Sequence, residues 1–389
     1  MTKLNEVIEK FRRKLPLLNE LEKTHQDAEW HAEGNVAIHT QMVMDAIVDE
    51  ANKGDDTEVL IHAAAFHDIA KPLTTREREI EGVLRTISPR HAHVGRSYLA
   101  NNLTAESELS NLDLDTILAL VGHHHDVRKL VLDDLPRAKY ARLARLCPVP
   151  LLYRLCRADM IGRICNDQES QLEQVELFKL QAQEWNCWSD DPYDGWDLEI
   201  KNAFPKRSEI FHDYALAVSQ LDYENGLINS IHEAIPRAWN LAEKPYTVTL
   251  LCGPSGSGKS SWIEENRGDE VVISLDKLRE VITGKRDDQS KNGQVMQDAK
   301  EALKQALREK KNVIWDATNT RENGRSWVVD LAHDYGASSR IVTLFTPLKE
   351  LLIRNQKREN PIPTKALLRQ AERMEFPWLY EAHKVEVVV

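Results

Sequence analysis

Val248-Thr249-Leu250-Leu251-Cys252-Gly253-Pro254-Ser255-Gly256-Ser257-Gly258-Lys259-Ser260 is an apolar run followed by G-P-S-G-S-G-K-S. The apolar five suit a buried strand, and Ser260 to Glu265 suits the opening of a helix, the context in which such a loop holds phosphate. Glycines let backbone N–H groups approach phosphate oxygens and the helix N-terminus adds positive potential. Lys259 bridges the outer phosphates and Ser260 reaches magnesium. Gly253, Ser255, Gly256, Ser257, Gly258, Lys259, Ser260 and Ser261 are therefore the candidate contacts for ATP or GTP with Mg2+. A glycine-rich turn that binds nothing is the plain alternative, and it leaves the offsets of Gly, Lys and Ser unexplained. The loop alone does not choose among kinase, ATPase and GTPase.

The loop starts at residue 253 of 389, so something else occupies the front, and a chain of this length suggests two domains. Around the loop, Glu270-Val271-Val272-Ile273-Ser274, Asn312-Val313-Ile314-Trp315 and Arg340-Ile341-Val342-Thr343-Leu344-Phe345 read as strands. They alternate with helices at about 298–309 and 322–335, which implies a parallel sheet with helices on both faces. Upstream, from Leu4 to about Glu184, the spacing is helical: Ile8, Phe11 and Leu15; Val36, His39, Val43 and Ile47; Leu60, Ala64 and His67. The front is expected to be all-α. Trp185 to Phe204 is turn-rich, around Asp190-Asp191-Pro192 and Asp194-Gly195, and aromatic enough to pack on the helical core. A last helix over about 209–241 leads to Lys244-Pro245, which sets expected domains at 1–244 and 245–389.

Hydrophobic residues make up 42% and charged residues 29% of the chain, an ordinary soluble composition, and no apolar stretch reaches membrane-spanning length. The N-terminus lacks an apolar signal core, so the expected location is cytoplasmic, with no membrane partner. Five cysteines without C-x-x-C spacing read as reduced thiols rather than disulfides. The formal charge is −11, but residues 245–389 carry 23 basic and 21 acidic side chains, so the acidity lies upstream. A near-neutral rear domain can still offer a basic path to a polyanion. Oligomeric state is not legible.

Histidine is concentrated in the front: His39, His62, His67, His91, His93 and the run His123-His124-His125. His67 and Asp68 are adjacent at the end of an apolar helix, and Asp159 follows the apolar helix that begins at Leu151. Imidazole and carboxylate together suit manganese, iron, cobalt, nickel or zinc rather than magnesium or calcium. Any one of these histidines alone would read as a core or surface residue. Their recurrence with Asp on successive helices reads as a metal site that makes hydroxide near neutral pH and neutralises a phosphoryl oxygen.

These residues resemble the HD phosphohydrolase superfamily, whose signature is a His, then a His-Asp pair, then a distant Asp. The resemblance extends through Ala63 to Pro72, His91-Ala92-His93-Val94-Gly95 and Ala119 to His124, about the first 165 residues. It implies His39, His67, Asp68 and Asp159 as primary ligands, with His91 and His124 completing a second position. His93 and the neighbours of His124 remain alternatives. Lys71 would steady the phosphate, and His25, His31 and His62 are left as structural.

In the rear, Asp276 follows a strand at the sheet's carboxyl edge with Arg279 a turn later, and Trp315-Asp316-Ala317-Thr318-Asn319 ends a second strand before Arg321 and Arg325. This resembles the phage-type polynucleotide kinases. The resemblance implies Asp276 as base for a 5'-hydroxyl, Arg279 on the acceptor phosphate and Asp316 orienting the acceptor. The stretch Leu351 to Pro363 would be a lid, with Arg354 or Arg358 reaching the transferred phosphoryl. As plain alternatives, Asp276 is a helix cap and the lid a solvated basic face.

Joined in this order, the halves resemble the bacterial HD-Pnk end-healing enzymes. That implies a hydrolase and transferase of RNA repair: a phosphoesterase removing 2',3'-cyclic phosphate or 2'-phosphate, using Mn2+, Ni2+, Co2+ or Zn2+, and an ATP- or GTP-dependent kinase. RNA or DNA ends would be the substrate, with a separate RNA ligase as partner. Two other readings stand beside it: a nucleotide hydrolase fused to a small-molecule or nucleoside kinase, and an ATP-gated regulatory module.

Overall fold

The computed structural model describes residues 2–49, 57–103, 111–189, 192–286, 288–358 and 361–388. The Asp190-Asp191 turn and the Glu359-Asn360 end of the basic segment lie outside these residues. The chain divides into two compact units, Met1–Tyr193 and Asp194–Val389. Residues 194–244, which the change of pattern near 244 assigns to the front, thus fall in the second unit. Side chains explain the division: Trp185 sets its ring against Tyr140 of the first unit, whereas Trp196 packs on Tyr223 and Tyr214 on His383 of the second. The aromatic stretch is shared between two cores rather than packed on one.

The first unit is built on the helix Val36–Asp49, which packs against Thr57–Phe66 and Val149–Ile161. Its buried stripe is Val36, His39, Thr40, Val43, Met44 and Ile47, so a helical period carries His39 inward with the aliphatic residues. Phe66 closes the next helix by meeting Phe11 edge to face at 5.4 Å, and the chain turns there, leaving His67 and Asp68 at the helix end. Gly162 ends Val149–Ile161 against the first helix, where a β-carbon would meet the Val43 backbone nitrogen at 2.8 Å. A side chain at 162 would push apart the two helices that carry His39 and Asp159.

The unit is not all helix. β1 (Arg76–Ile80) and β2 (Val83–Ile87) form an antiparallel hairpin, Arg76 opposite Ile87 and Ile80 opposite Val83. Its turn is Glu81-Gly82, both with positive φ, as a tight hairpin of this twist requires. Alternating charges hide the strand period, and Glu-Gly is not one of the strong hairpin dipeptides. Asp27 anchors the hairpin by accepting from the Thr86 backbone at 2.9 Å and pairing with Arg85 at 3.1 Å.

The second unit begins with helices Trp196–Ala203, Glu209–Glu224 and Ile231–Ala238. The single helix expected over 209–241 is broken at Asn225-Gly226, where Gly226 takes φ 73°. A five-stranded parallel sheet follows: β3 (Thr247–Cys252), β4 (Val271–Ser274), β5 (Val313–Asp316), β6 (Ser338–Leu344) and β7 (Lys384–Val388). Their order is β4-β5-β3-β6-β7, with helices flanking the sheet, and the sequence had not marked β7 as a strand. The chain leaves β3 toward β4 and later returns to β6 on the other side, so the carboxyl end of β3 is a switch point, where such sheets bind ligands. Leu251, Ile314 and Val342 pack with Trp262 of the following helix, tying the loop between β3 and that helix to the sheet.

Candidate functional site in each unit

In the first unit four histidines turn the same edge inward. The Nδ1 atoms of His67, His91 and His124 donate to the carbonyls of Ala64, Ser88 and Val121 at 2.7, 2.7 and 2.8 Å. His39 Nδ1 lies 3.0 Å from both the Gly162 carbonyl and the Glu33 carboxylate. Each ring has therefore committed its Nδ1 proton, which leaves Nε2 as a lone pair in the neutral form.

Those lone pairs converge. His39 Nε2 and His67 Nε2 are 3.4 Å apart, and His39 Nε2 is 3.0 Å from Asp159 Oδ1. His91 Nε2 lies 3.2 Å from His124 Nε2, 2.9 Å from His125 Nε2 and 3.0 Å from Asp68 Oδ1. Asp68 Oδ2, buried and ion-paired with Lys71, faces His67 Nε2 at 3.2 Å. Lone pairs directed at one another at this range repel unless a cation stands among them. The donor set, neutral imidazole with carboxylate, is the one a divalent transition metal takes. The residues therefore fit such an ion at two adjoining positions that share Asp68.

Among the described residues, the groups whose donor atoms are close enough to share a cation are His39–His67–Asp159, His91–His124–His125 and His31–Glu33–His39. His91 and His124 are thus brought together and His93 is in none of these groups. His123 instead bonds Asp126 through Nδ1 at 2.6 Å. His125, one of the neighbours left as alternatives, joins His91 alongside His124.

The electrostatics keep the carboxylates charged. Burial works to raise the Asp159 pKa, but the Arg163 guanidinium, bidentate at 2.7 and 3.0 Å, and His39 hold it well below the usual range. Burial likewise opposes ionisation of Asp68, and His67 with Lys71 outweighs it. Burial, with His91 and His67 nearby, pushes His124 down to about 3, so it stays neutral and able to ligate. Lys71 Nζ sits 2.7 Å from Asp68 Oδ2 and donates to Gln26 at 2.6 Å. The sequence does not single out Arg163, Glu33 or Gln26. Arg163 had a signal, an arginine one helical turn after Asp159, whereas Glu33 and Gln26 lie on irregular chain without one.

His31, read as structural, braces the site from outside: its Nδ1 is 2.7 Å from the Glu33 carboxylate that holds His39. Burial lowers His31 to about 4.

In the second unit, Gly253–Ser260 spans the end of β3 and the start of the helix Lys259–Asn266. Gly253, Gly256 and Gly258 all take positive φ, and a β-carbon on Gly253 would meet the Leu344 carbonyl at 2.8 Å. Ser260 and Ser261 are exposed at the helix start. Lys259 Nζ donates to the Gly253 and Pro254 carbonyls, both at 2.8 Å, which folds it over its own loop. Burial lowers its pKa to about 8, against the raising charges of Asp316 and Asp276 and with Arg358 lowering it further, so all three charged groups lie within electrostatic reach of the loop. Arg354 reaches the same place, its Nη1 3.9 Å from where a Gly258 β-carbon would sit, while pairing with Glu350 at 3.0 Å.

Asp276 is exposed in the first turn of Leu275–Thr283, and Arg279 Nη1 donates to it at 2.5 Å. Arg279 is itself buried and also bonds the Arg286 carbonyl and Asn292. Asp316 ends β5 in register with Ser274. Arg325 does not face this site: it is fully buried and forks onto Glu381 at 2.6 and 2.9 Å. Gln370, which carries no sequence signal, and Asn319, the last residue of the Trp315–Asn319 run, shape the loop. Gln370 accepts from Ser255 N at 2.9 Å, and Asn319, at φ 45°, donates to the Leu251 carbonyl at 2.7 Å.

The HD domain family matches residues 36–148, and the AAA domain family matches residues 248–377. No curated protein matches the chain. Two solved structures are similar over part of it, "Structure of the Pnkp1/Rnl/Hen1 RNA repair complex" and "Structure of Pnkp1/Rnl/Hen1 complex". Each is 22% identical, with TM-scores of 0.31 and 0.28, covering 35% and 32% of this chain and 46% and 43% of those. The matched regions span less than half of those chains. An HD domain and a P-loop kinase-type domain, fused in that order, make this a metal- and nucleotide-binding chain with hydrolase and kinase architecture. No helix among the described residues is long and apolar enough to cross a membrane.

Proposed function

We propose that this fusion of an HD domain with a P-loop kinase-type domain heals broken nucleic-acid ends, as the HD-Pnk resemblance implies. The observation that supports the reading is the coexistence in one chain of two clusters of chemically apt side chains. One is a carboxylate-bridged histidine cluster in the first unit, and the other is a phosphate loop whose Lys259 feels the charge of an exposed Asp276 paired to Arg279.

In the first unit His39, His67, Asp68 and Asp159 would hold one divalent transition metal, and Asp68, His91, His124 and His125 the second. When bound, such an ion supplies a water of lowered pKa and neutralises phosphoryl oxygen. The chain's own part is orientation and charge: the Ala64, Ser88 and Val121 carbonyls fix the imidazole tautomers, and Arg163 keeps Asp159 ionised. Lys71, 2.7 Å from Asp68, would steady a phosphate oxygen of a 2',3'-cyclic phosphate or a 2'-phosphate.

In the second unit the loop amides and Lys259 would hold the outer phosphates of ATP or GTP, with Ser260 toward Mg2+. Asp276 accepts the proton of a 5'-hydroxyl, Arg279 aligns that end, and Asp316 orients it. Arg354 and Arg358 offset the charge of the moving phosphoryl group. The products, a free 3' end and a 5'-phosphate, are what a nucleic-acid ligase consumes.

The test is competition among phosphate acceptors, short 5'-hydroxyl oligonucleotides against nucleosides, with labelled ATP. Preferential labelling of the oligonucleotide supports the reading. Labelling of nucleosides alone would point to a small-molecule kinase, and free phosphate without a labelled acceptor to an ATP-driven regulator.

A further inference from the structure

A cavity of about 560 Å³ opens beside the histidine cluster, between the loop at Gln26–Glu29, the hairpin strand β2 at Leu84–Thr86, and Ile164–Asn166. It falls in the range of small-ligand pockets. Two of its walls touch the groups that brace the cluster. Gln26 accepts from Lys71, whose ammonium is 2.7 Å from Asp68. Ile164 N donates to Glu33 at 2.9 Å, and Glu33 holds His39.

Two features say what kind of ligand would enter. Arg85 lines the pocket, is held by Asp27 at 3.1 Å, and sets its guanidinium carbon 5.4 Å from the ring centre of the exposed Trp30, which stands outside the lining residues, so a cationic and an aromatic group adjoin at the pocket. Such groups stack bases. Asn166 adds an amide that both donates and accepts.

We propose that this pocket seats the nucleoside that carries the scissile phosphate, its base against the Arg85 guanidinium, which Trp30 backs, and a base edge on Asn166. Trp30 and Arg85 are positioning residues for the substrate, not for the metals. The proposal rests on the reading of the histidine cluster as a phosphoesterase of nucleic-acid ends. It gives the hairpin a purpose, since the hairpin supplies Arg85 and is otherwise mostly exposed.

The experiment uses the full chain loaded with Mn2+ and compares wild type, Trp30→Ala, Arg85→Gln and Arg85→Lys. The substrates are a 2',3'-cyclic mononucleotide, an oligonucleotide with the same terminal nucleotide, and bis(p-nitrophenyl) phosphate, which has no nucleoside. Trp30→Ala and Arg85→Gln should raise KM about tenfold for both nucleotide substrates, with kcat little changed and the nitrophenyl ester unaffected. Arg85→Lys should recover only part of the loss, because ammonium is not planar. Equal loss on all three substrates, no change on any, or loss confined to the oligonucleotide would overturn the proposal. Calorimetric titration with a nucleoside 2'-monophosphate keeps the two claims apart. If wild type cleaves none of the substrates, the phosphoesterase reading fails, while binding that Trp30→Ala weakens about tenfold would still uphold the pocket.

Discussion

Asp68 turns Oδ1 to His91 Nε2 at 3.0 Å and keeps Oδ2 for the opposite side of the cluster, so one carboxylate serves both halves of the site. The loss of Asp68 should therefore cost more than the loss of either histidine set. Asp68→Ala should abolish metal binding and phosphoesterase activity, whereas His91→Ala should halve the metal stoichiometry. Metal analysis of the purified variants checks both, and a full metal complement in Asp68→Ala would refute the shared-carboxylate geometry.

Glu33 holds His39 Nδ1 at 3.0 Å and would act on a bound metal only through that ring. Partners of this kind are worth about 10- to 100-fold in metal affinity. Glu33→Gln should weaken metal binding by that factor in a chelator competition assay, with the fold intact by circular dichroism and kinase activity unchanged.

Lys259 gives nucleotide binding a pH signature. Its pKa in the free protein is about 8, and the charged form is the one that attracts phosphate. Affinity for ATP should be level below that value and fall up to about tenfold per pH unit above it, since each unit removes tenfold of the binding form. Titration with a fluorescent ATP analogue from pH 6 to about 9.5 reads this. Lys259→Ala should bind weakly with no such slope.

Arg325 is a residue of the fold and not of the acceptor site. It is fully buried and paired with Glu381, whose pKa burial raises despite the arginine. Removing one partner of a buried pair costs about 3 to 5 kcal/mol. Arg325→Ala should lower the melting temperature of the second unit, while Arg321→Ala, at a half-exposed pair with Glu375, should leave it nearly unchanged.

The sequence was most legible where chemistry demands fixed spacing. The loop at 253–260 needs its glycines and Lys259 at set offsets, and the strands β3 to β6 are apolar runs. His39, His67, Asp68, His91, His124 and Asp159 stand together because helical period and a helix end bring them inward. What the sequence hid depends on long-range contact. The β1–β2 hairpin is masked by alternating charges, β7 becomes a strand only beside β6, and the burial of Arg325 depends on Glu381, 56 residues later. The division at 193/194 likewise rests on which core each tryptophan enters.

The central claim is that two independent sites treat two different ends, and one assay tests it most directly. An oligonucleotide carrying a 5'-hydroxyl and a 2',3'-cyclic phosphate is incubated with ATP, Mg2+ and Mn2+, and both ends are followed for wild type, Asp68→Ala and Asp276→Ala. Wild type should convert both ends. Asp276→Ala should lose 5'-phosphorylation by about 100-fold or more while still opening the cyclic phosphate, and Asp68→Ala should do the reverse. A folded variant that silenced both ends, or wild type that released free phosphate and left the 5' end unlabelled, would contradict the account.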